Sequence, residues 1–479
     1  MKKVRYCEQL NTQTSVRPAI VEHHSAQTEN SMQLTIQVYL DQVWQDIAQL
    51  EILQSELGTG GPVALTYLQH HALDWMFRDD EHACSLTLPV ELMLRYRHPR
   101  WFGFLEDIMP AGASRRYWIA HLGLQNAPAG EQDSALLRHG TIAPVGNLRI
   151  KEAVPERLTG SRLEQRRFTL QDVVERHTDF LEYAQQMGAA SGGATGAGGE
   201  APKLLLRRSA SDQIWIDTWQ DDPHNRDAAY LVKFPRGQRL QDDCDILRAE
   251  YYYYQELAAL GIDTIETTTM QLIEGERYPS LWLPRFDIKM RQNELSRYGL
   301  ESIYAILGAA PGSHLNHFQV IRRLVEYLQR QFRVTQQQEN FDTAGFVSEW
   351  VKRDLLNVAF GNSDNHGRNA ALLKRPEGIW HAPVYDFAPM KADPEGVTRT
   401  TSWGSPYEEG GDFDWLAIAE ALNDLIPSTQ LVNELRDLAA QLIGLYQRLA
   451  ERGVPERILN MPAVGLIYLD DRLKKWDLL

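Results

Sequence analysis

The residues with the clearest chemical potential lie in the segment Gly361-Asn-Ser-Asp-Asn-His-Gly-Arg-Asn369, directly after a predicted helix over 344–360. Asp364 and Asn369 are five positions apart in it. Phosphoryl transfer needs a carboxylate that accepts a hydroxyl proton and a neutral oxygen ligand that helps to hold magnesium. The spacing therefore predicts Asp364 as a catalytic base and Asn369 as a magnesium ligand. The same residue types also form ordinary surface turns, which is the alternative for this loop taken alone.

A second acidic group follows 22 positions after Asp364, in Val384-Tyr-Asp-Phe-Ala388. Asp386 comes after an apolar stretch and corresponds in type to the D-F-G aspartate that supplies a metal carboxylate in protein kinases. With this group added, a simple surface turn becomes the weaker interpretation. We expect Asn369 and Asp386 to bind magnesium together.

Two upstream residues have the types needed to contact the phosphates of a nucleotide. Lys233 lies in a predicted strand over 230–235. A lysine in such a strand is usually a solvated edge residue, but in a nucleotide cleft it neutralises the α- and β-phosphates and needs a carboxylate partner. Glu250 on the following helix is the first candidate for that partner, and Glu256 is the reserve.

Residues 188–199 carry six glycines with only small residues between them and lead towards a strand that begins at Lys203. Backbone N–H groups can surround phosphates only where no Cβ blocks their approach, and glycine meets that need. A flexible linker is the more common interpretation of such a stretch. The G-x-x-x-x-G-K-[ST] loop is absent, and a strand follows where that loop would need a helix.

Both strands and helices are predicted to position these residues. Alternating apolar residues predict strands from residue 35 and over 84–92, and residues 101–124 have helical character broken at Pro110. Further strands are predicted over 203–208, 214–219, 230–235 and 281–286, with a helix over 244–260 that ends at Gly261. From about residue 300 the pattern is helical almost to the end and includes one amphipathic helix over 431–452.

This order predicts an α+β protein with a bilobal, protein-kinase-like fold, which has a β-rich N-terminal half and an all-α C-terminal lobe. Residues 1–32 form a polar tail and 33–155 a mixed α/β subdomain. Residues 156–290 form the kinase N-lobe, with the glycine-rich loop and an antiparallel sheet. Residues 291–479 form an all-helical C-lobe with the catalytic loop. A nucleotide is expected between the lobes, with its adenine edge near Pro284, Arg285 and Phe286.

Composition sets wider limits on the class of protein. A chain of 479 residues is too long for one compact core, and about three domains are expected. Lys and Arg total 49 and Asp and Glu total 64, so the net charge is 49 − 64 = −15, which argues against broad non-specific nucleic-acid binding. Three distant cysteines and the lack of any apolar run of about 18–20 residues favour a soluble, cytoplasmic protein without a membrane segment.

Over roughly residues 35–450 these motifs resemble those of the HipA-like serine/threonine kinases, the toxins of bacterial type II toxin–antitoxin systems. The resemblance rests on residues 362–369, 385–386, 232–235, 283–287 and 198–203, and on the N-terminal runs 104–113 and 143–150. It implies ATP and Mg²⁺ as cofactors. It also implies a protein substrate, in the best-known cases an aminoacyl-tRNA synthetase, and leaves room for a helix-turn-helix antitoxin as a partner.

Carried over residue by residue, the resemblance makes Asp364 the catalytic base, assisted by Lys233 and Glu250. The positions that would bind the nucleotide and its metal are Gly198, Gly199, Glu200, Lys203, Lys233, Pro284, Arg285, Phe286, His366, Asn369, Tyr385 and Asp386. Family members can also phosphorylate a serine in the glycine-rich loop. Gly196 stands near that position here, so Thr195 and Ser191 are the candidate acceptors.

Two other functions fit parts of the pattern. The first is a kinase fold kept as a binding module for an antitoxin–operator complex, with weak or no catalysis. The second is a kinase that acts on a small molecule or a lipid headgroup. The presence of Lys233, Asp364, Asn369 and Asp386 together argues against a pure binding module, which would not need all four.

Overall fold

The computed structural model describes residues 31–141, 145–154, 166–186, 202–216, 222–291, 294–334 and 341–479. Most of the predicted tail 1–32, the glycine-rich stretch 188–199 and the predicted boundary at 155 lie outside these residues. The mixture of helices and strands confirms the α+β class. The bilobal arrangement and the domain boundaries stay predictions.

The N-terminal unit, residues 31–154, has a five-stranded antiparallel sheet and its own apolar core. Its strands are β1 (Met32–Leu40), β2 (Val43–Ile52), β3 (Val63–Tyr67), β4 (Arg95–His98) and β5 (Leu148–Ile150), in the spatial order β4-β3-β2-β1-β5. Asp41 and Gln42 have φ values of 48° and 65°, as a tight two-residue hairpin between β1 and β2 requires. Its helices are α1 (Gln69–Trp75), α2 (Gly103–Ile108), α3 (Gly112–His121) and α4 (Ala129–His139). The predicted break at Pro110 separates α2 from α3.

The predicted strand over 84–92 is wrong, because only an isolated bridge joins Ser85 and Leu88 there. The Ser85 hydroxyl donates to the Glu301 carboxylate, and the Leu86 N–H donates to Glu301 Oε2 at 2.9 Å. Pro89 has no N–H to donate to a neighbouring strand. The segment therefore bonds to a distant side chain instead of a sheet.

A second five-stranded antiparallel sheet carries several of the candidate residues. Helices α5 (Leu170–Val174) and α6 (Thr178–Gln186) precede strands β6 (Lys203–Arg208), β7 (Ile214–Trp215), β8 (Ala228–Lys233), β9 (Gln271–Glu274) and β10 (Pro279–Pro284), in the order β7-β6-β8-β10-β9. Helix α7 (Gln241–Ala259) packs against β10, and Gly261 follows it with a φ of 73°. The helix and the strands that begin near Lys203, Ile214, Tyr230 and Leu281 are confirmed.

The all-helical prediction for residues 291–479 is wrong, because short strands occur within that range. After β11 (Ile288–Arg291), which ends at the start of that range, they are β12 (Glu294–Arg297), β13 (Gly299–Ser302), β14 (Leu315–Asn316), β15 (Ala371–Arg375), β16 (Gly378–His381), β17 (Thr401–Ser402), β18 (Glu408–Glu409) and β19 (Asp412–Phe413). Strands β13, β15 and β16 form one antiparallel sheet. These strands are two to five residues long, too short for an alternating pattern to be visible in the sequence.

The remaining helices are α8 (Ile303–Leu307), α9 (His317–Val334), α10 (Thr343–Ala359), α11 (Trp415–Ala421), α12 (Ser428–Leu442), α13 (Leu445–Arg452), α14 (Glu456–Leu459) and α15 (Leu469–Lys475). Short 3₁₀ turns occur at Ser55–Gly60, Lys151–Ala153, Met390–Ala392 and Leu466–Tyr468. The prediction of one helix over 431–452 is wrong, because Gly444 adopts a φ of 71° and separates α12 from α13. Among the helices of the described ranges, none is long and apolar enough to cross a bilayer.

Candidate active site

Six predicted residues form what we call the polar cluster: Lys203, Lys233, Glu250, Asp364, Asn369 and Asp386. The first four and Asp386 line one cavity between the second sheet, α7 and the segment after α10. Asn369 is joined to Asp364, because its Nδ2 donates to the Asp364 carbonyl at 2.8 Å. Residues from five separate stretches of the chain therefore meet at one place.

Lys233 is the central cation of the polar cluster and is buried. Its Nζ donates to Glu250 Oε1 at 2.6 Å and to Asp386 Oδ1. Burial lowers the pKa of Lys233, but the nearby carboxylates of Asp386 and Glu250 raise it by more than burial lowers it. The pKa of Lys233 therefore lies above its ordinary value. Glu256, the reserve partner, binds Arg448 and Arg452 instead, at 2.7 Å each. The choice of Glu250 over Glu256 therefore agrees with the geometry.

Asp386 accepts hydrogen bonds from both lysines, with Lys203 Nζ 3.2 Å from Oδ2. Burial raises the pKa of Asp386, but Lys203 and Lys233 outweigh it and hold the pKa below its ordinary value. Burial lowers the pKa of Lys203, and Asp386 partly offsets this effect. Asp386 has a φ of 52°, an uncommon backbone conformation of the kind found at functional sites.

The loop of Asp364 and Asn369 begins where α10 ends, and Gly361 turns the chain with a φ of 68°. Asn362 Oδ1 accepts the Asp364 N–H at 3.2 Å, which fixes the start of the loop. Burial raises the pKa of Asp364, and nearby His366 lowers it in part. Unlike Asp386, Asp364 receives no lysine ammonium group within hydrogen-bond distance among the described residues.

A magnesium ion fits this donor set. Mg²⁺ prefers oxygen ligands, usually one or two carboxylates together with substrate phosphates. Asn369 Oδ1 is buried and has no hydrogen-bond partner within the described ranges, so its lone pairs are available. Asp386 would supply the charged oxygen ligand. Asn369 and Asp386 line two different cavities, each of which is also lined by Asp364, and their joint binding of the metal stays a prediction.

A second, mostly apolar cavity adjoins the polar cluster through Lys233 and Asp386. Pro284, Arg285, Phe286 and Tyr385 all line it, and their contact with a nucleotide stays a prediction. The Arg285 N–H donates to the Ala229 carbonyl at 3.0 Å, and its guanidinium binds Asp287. Pro284 has no N–H. Neither residue can therefore donate a backbone hydrogen bond to an adenine, and the cavity offers mainly apolar contact from Phe286.

His366 lines a third cavity together with Asp364, Asn369 and Tyr385. Its Nε2 lies 3.4 Å from Asp364 Oδ1, and its ring stacks near Tyr304. The remaining predicted residues, Gly198, Gly199, Glu200, Thr195 and Ser191, lie outside the described residues. Their assigned roles stay predictions.

Sequence reasoning missed two side chains that organise the site. The Tyr254 hydroxyl donates to Glu250 Oε1 at 2.9 Å and accepts the Phe387 N–H at 3.2 Å, so it joins α7 to the Asp386 segment. Its position one helical turn after Glu250 was a usable signal. Asn365 Nδ2 donates to the Thr401 carbonyl at 2.7 Å. That contact joins segments far apart in the chain, and no sequence pattern reveals it.

Comparison with known proteins places this chain in a family. The model for the HipA-like C-terminal domain matches residues 195–444. The chain is similar to HipA of Shewanella oneidensis MR-1, solved in a toxin–antitoxin complex with HipB and its operator DNA, with a TM-score of 0.61, 18% identity and coverage of 92% of this chain and 97% of that chain. A weaker likeness, with a TM-score of 0.34 and 12% identity, links 59% of this chain to 92% of the proinflammatory kinase CtkA of Helicobacter pylori.

No curated protein sequence matches the chain. The segment matched by the HipA-like model nevertheless spans more than half of the 479 residues and contains the whole polar cluster. The HipA structure shares the fold over nearly the full length of both chains. The resemblance seen in the sequence motifs is confirmed: this chain belongs to the HipA-like toxin family.

Proposed function

We propose that the protein is an ATP- and Mg²⁺-dependent protein serine/threonine kinase of the HipA type. The observation that carries the proposal is the meeting of Lys233, Asp364 and Asp386 in one cavity, with Asn369 bonded to the Asp364 backbone. These are the residue types that kinases use to bind a triphosphate and to accept a hydroxyl proton. A bilobal fold with the nucleotide between two lobes is part of the same proposal.

The two adjoining cavities suggest how ATP would lie. Its adenine would occupy the apolar cavity against Phe286, which is lined also by Leu231 and Leu283. Its phosphates would then face Lys203 and Lys233, whose charges offset those of the phosphate oxygens. Asn369 and Asp386 would hold magnesium, which neutralises phosphate charge when it is bound.

Asp364 would act on the second substrate. A serine or threonine hydroxyl oxygen attacks the γ-phosphorus, its proton passes to the Asp364 carboxylate, and the bond to the β–γ bridging oxygen breaks, releasing ADP. The raised pKa of Asp364 suits a group that must accept a proton near neutral pH. Lys233, held by Glu250, keeps the phosphates in place during transfer.

Family membership extends the proposal to partners. The related HipA was solved with HipB and operator DNA, so we propose a helix-turn-helix antitoxin as a partner of this chain. The kinase would phosphorylate a cytoplasmic protein, with an aminoacyl-tRNA synthetase as the first candidate, and arrest growth. Phosphoproteomics after induction, comparing the wild type with Asp364→Asn, identifies the substrate.

ATP turnover by the purified protein tests the activity. Asp364→Asn removes the proton acceptor while keeping the size of the side chain, so transfer should fall by about a hundredfold or more while ATP still binds. Asp424→Asn, an exposed surface change of the same type, is the matched control and should turn over ATP normally. Equal turnover by all three proteins would remove Asp364 from the mechanism.

ATP consumption also separates the alternatives. A binding module would consume little or no ATP, with or without Asp364→Asn, and this change would leave antitoxin binding and any growth arrest unchanged. A small-molecule or lipid kinase would consume ATP in an extract and label a small-molecule or lipid fraction without labelling any polypeptide.

A further inference from the structure

Helix α2 of the N-terminal unit places two adjacent carboxylates against the catalytic loop. Glu106 and Asp107 are 7% and 4% exposed, although acidic side chains are rarely buried without a partner. Burial raises the pKa of both groups, that of Asp107 to about 6, and Arg368 lowers both in part. Burial of the two carboxylates is therefore unfavourable unless a positively charged partner offsets its cost.

That partner is Arg368, which lies in the loop between Asp364 and Asn369, shortly before β15. Its Nη2 is 3.5 Å from Glu106 Oε2, and its Nε is 3.7 Å from Asp107 Oδ1. Arg368 is itself only 5% exposed. The N-terminal unit thus holds the catalytic loop through a buried group of three charges.

Arg368 also contacts the metal-binding segment through its backbone. Its carbonyl accepts the Tyr385 hydroxyl at 2.6 Å, and Tyr385 directly precedes Asp386. One residue therefore touches α2, belongs to the loop of Asp364 and Asn369, and fixes the neighbour of Asp386. Its place in the sequence is one step before Asn369, so a change in its backbone moves the magnesium ligand.

A second route joins α2 to the same loop. Asp107 accepts the Ser302 N–H at 2.8 Å and the Ser302 hydroxyl at 2.7 Å, at the start of α8. The next residue, Ile303, donates its N–H to the Ala370 carbonyl at 3.0 Å. Asp107 therefore supports the chain immediately after Asn369 as well as the Arg368 side chain.

We propose that Arg368 is a positioning residue through which Glu106 and Asp107 of the N-terminal unit hold the catalytic loop and the Asp386 segment in register. Replacing a buried ion group with apolar residues often stabilises a protein, so stability alone does not explain these three charges. The inference rests on the proposed kinase activity, because it assigns Arg368 a part in that reaction without contact with ATP. The N-terminal unit is then a working part of the active site.

Steady-state kinetics of Arg368→Met, Arg368→Lys and Glu106→Gln test this role in the full-length chain. Small misplacements of reacting groups reduce rates strongly, so Arg368→Met should lower kcat by about tenfold to a hundredfold with little change in KM for ATP. Arg368→Lys should recover part of the loss, since it keeps the charge. As a single change, Glu106→Gln should lower kcat. Combined with Arg368→Met it should lower kcat little further, because both changes break the same contact.

Arg100→Met is the matched control. Arg100 lies 3.6 Å from the other oxygen of Glu106 but belongs to the N-terminal unit, so this change should leave kcat near the wild-type value. A loss equal to that of Arg368→Met would assign the effect to the N-terminal unit's own folding and overturn the proposal. Additive losses in the Glu106→Gln and Arg368→Met double variant would also overturn it.

Hydrogen exchange separates this proposal from the proposed function. If the wild type shows no kinase activity, Glu106→Gln should still speed exchange of the amides in 362–369 by about tenfold, while Arg100→Met does not. Unchanged exchange in Glu106→Gln would reject the contact as a support of the loop, whatever the activity of the protein.

Discussion

Asp364 and Asp386 are both buried carboxylates, yet their surroundings shift their pKa values in opposite directions. Burial dominates at Asp364 and raises its pKa, whereas at Asp386 the two lysine ammonium groups outweigh burial and lower it. Carboxylates separated in this way take different roles. The group that gains a proton more readily suits the base, and the group that stays ionised suits the metal.

The pH dependence of kcat tests this assignment. Asp364 must be ionised to accept a proton, so activity should be present above its pKa and lost below it. Because that pKa is raised, the acid limb should have a midpoint above the ordinary aspartate value of about 3.9. Rates measured from about pH 8 down to about pH 4, with circular dichroism to confirm folding, decide the matter. A flat profile across that range would contradict the role of Asp364.

For individual residues, the sequence predicts the candidate site where residue type and spacing define the chemistry. Asp364, Asn369 and Asp386 could be named because each belongs to a short motif. Arg285 shows the limit, since its guanidinium binds Asp287 and its N–H binds the neighbouring strand. Hydrogen-bond partners of this kind depend on the folded sheet and have no signature in the chain.

At the scale of elements, helix α7 holds two glutamates with different tasks. Glu250 binds Lys233, while Glu256, only 1% exposed, binds Arg448 and Arg452 of α13. Helix α13 thereby fixes α7, and α7 fixes Lys233 through Glu250. Both glutamates were visible in the sequence, but the partner of Glu256 was not, because α13 was predicted as part of one longer helix.

The Glu256 contact predicts a difference between two otherwise similar changes. Glu256→Gln should lower the free energy of unfolding by about 2–3 kcal/mol, because it weakens two charged hydrogen bonds to a buried acceptor. Arg248 also belongs to α7, and its partner Glu274 is exposed. Glu274→Gln should therefore lower the free energy of unfolding by less than about 1 kcal/mol. Urea unfolding of both variants compares them. Equal losses would mean that the α13 contact does not hold α7.

At the scale of the whole molecule, buried charges join the N-terminal unit to the rest of the chain. Glu301, 2% exposed, accepts the Leu86 N–H at 2.9 Å and binds Lys374 of β15 at 2.8 Å. Leu86 and Glu301 are 215 residues apart. Local periodicity cannot reveal such a contact, which is why residues 84–92 were predicted as a strand.

The ion pair of Glu301 with Lys374, which lies beside this interface, predicts a non-additive pair of substitutions. Glu301→Gln keeps the hydrogen-bond acceptor but leaves Lys374 buried without its counter-ion, so the free energy of unfolding should fall by about 3–5 kcal/mol. The double variant with Lys374→Met removes both charges and should lose clearly less than the sum of the two single changes. Chemical denaturation of the four proteins gives the coupling energy. A coupling energy near zero would show that Lys374 is not the counter-ion that offsets the burial of Glu301.

The central claim is that Asn369 and Asp386 hold a divalent ion against a triphosphate bound beside Lys233. The most direct test is a crystal structure of the full-length protein with Mn²⁺ and a non-hydrolysable ATP analogue, with the metal located by anomalous scattering. We expect the anomalous peak about 2.0–2.3 Å from Asn369 Oδ1 and from an Asp386 carboxylate oxygen, with the adenine against Phe286. A metal that contacts neither residue, or a nucleotide bound outside this cavity, would contradict the account.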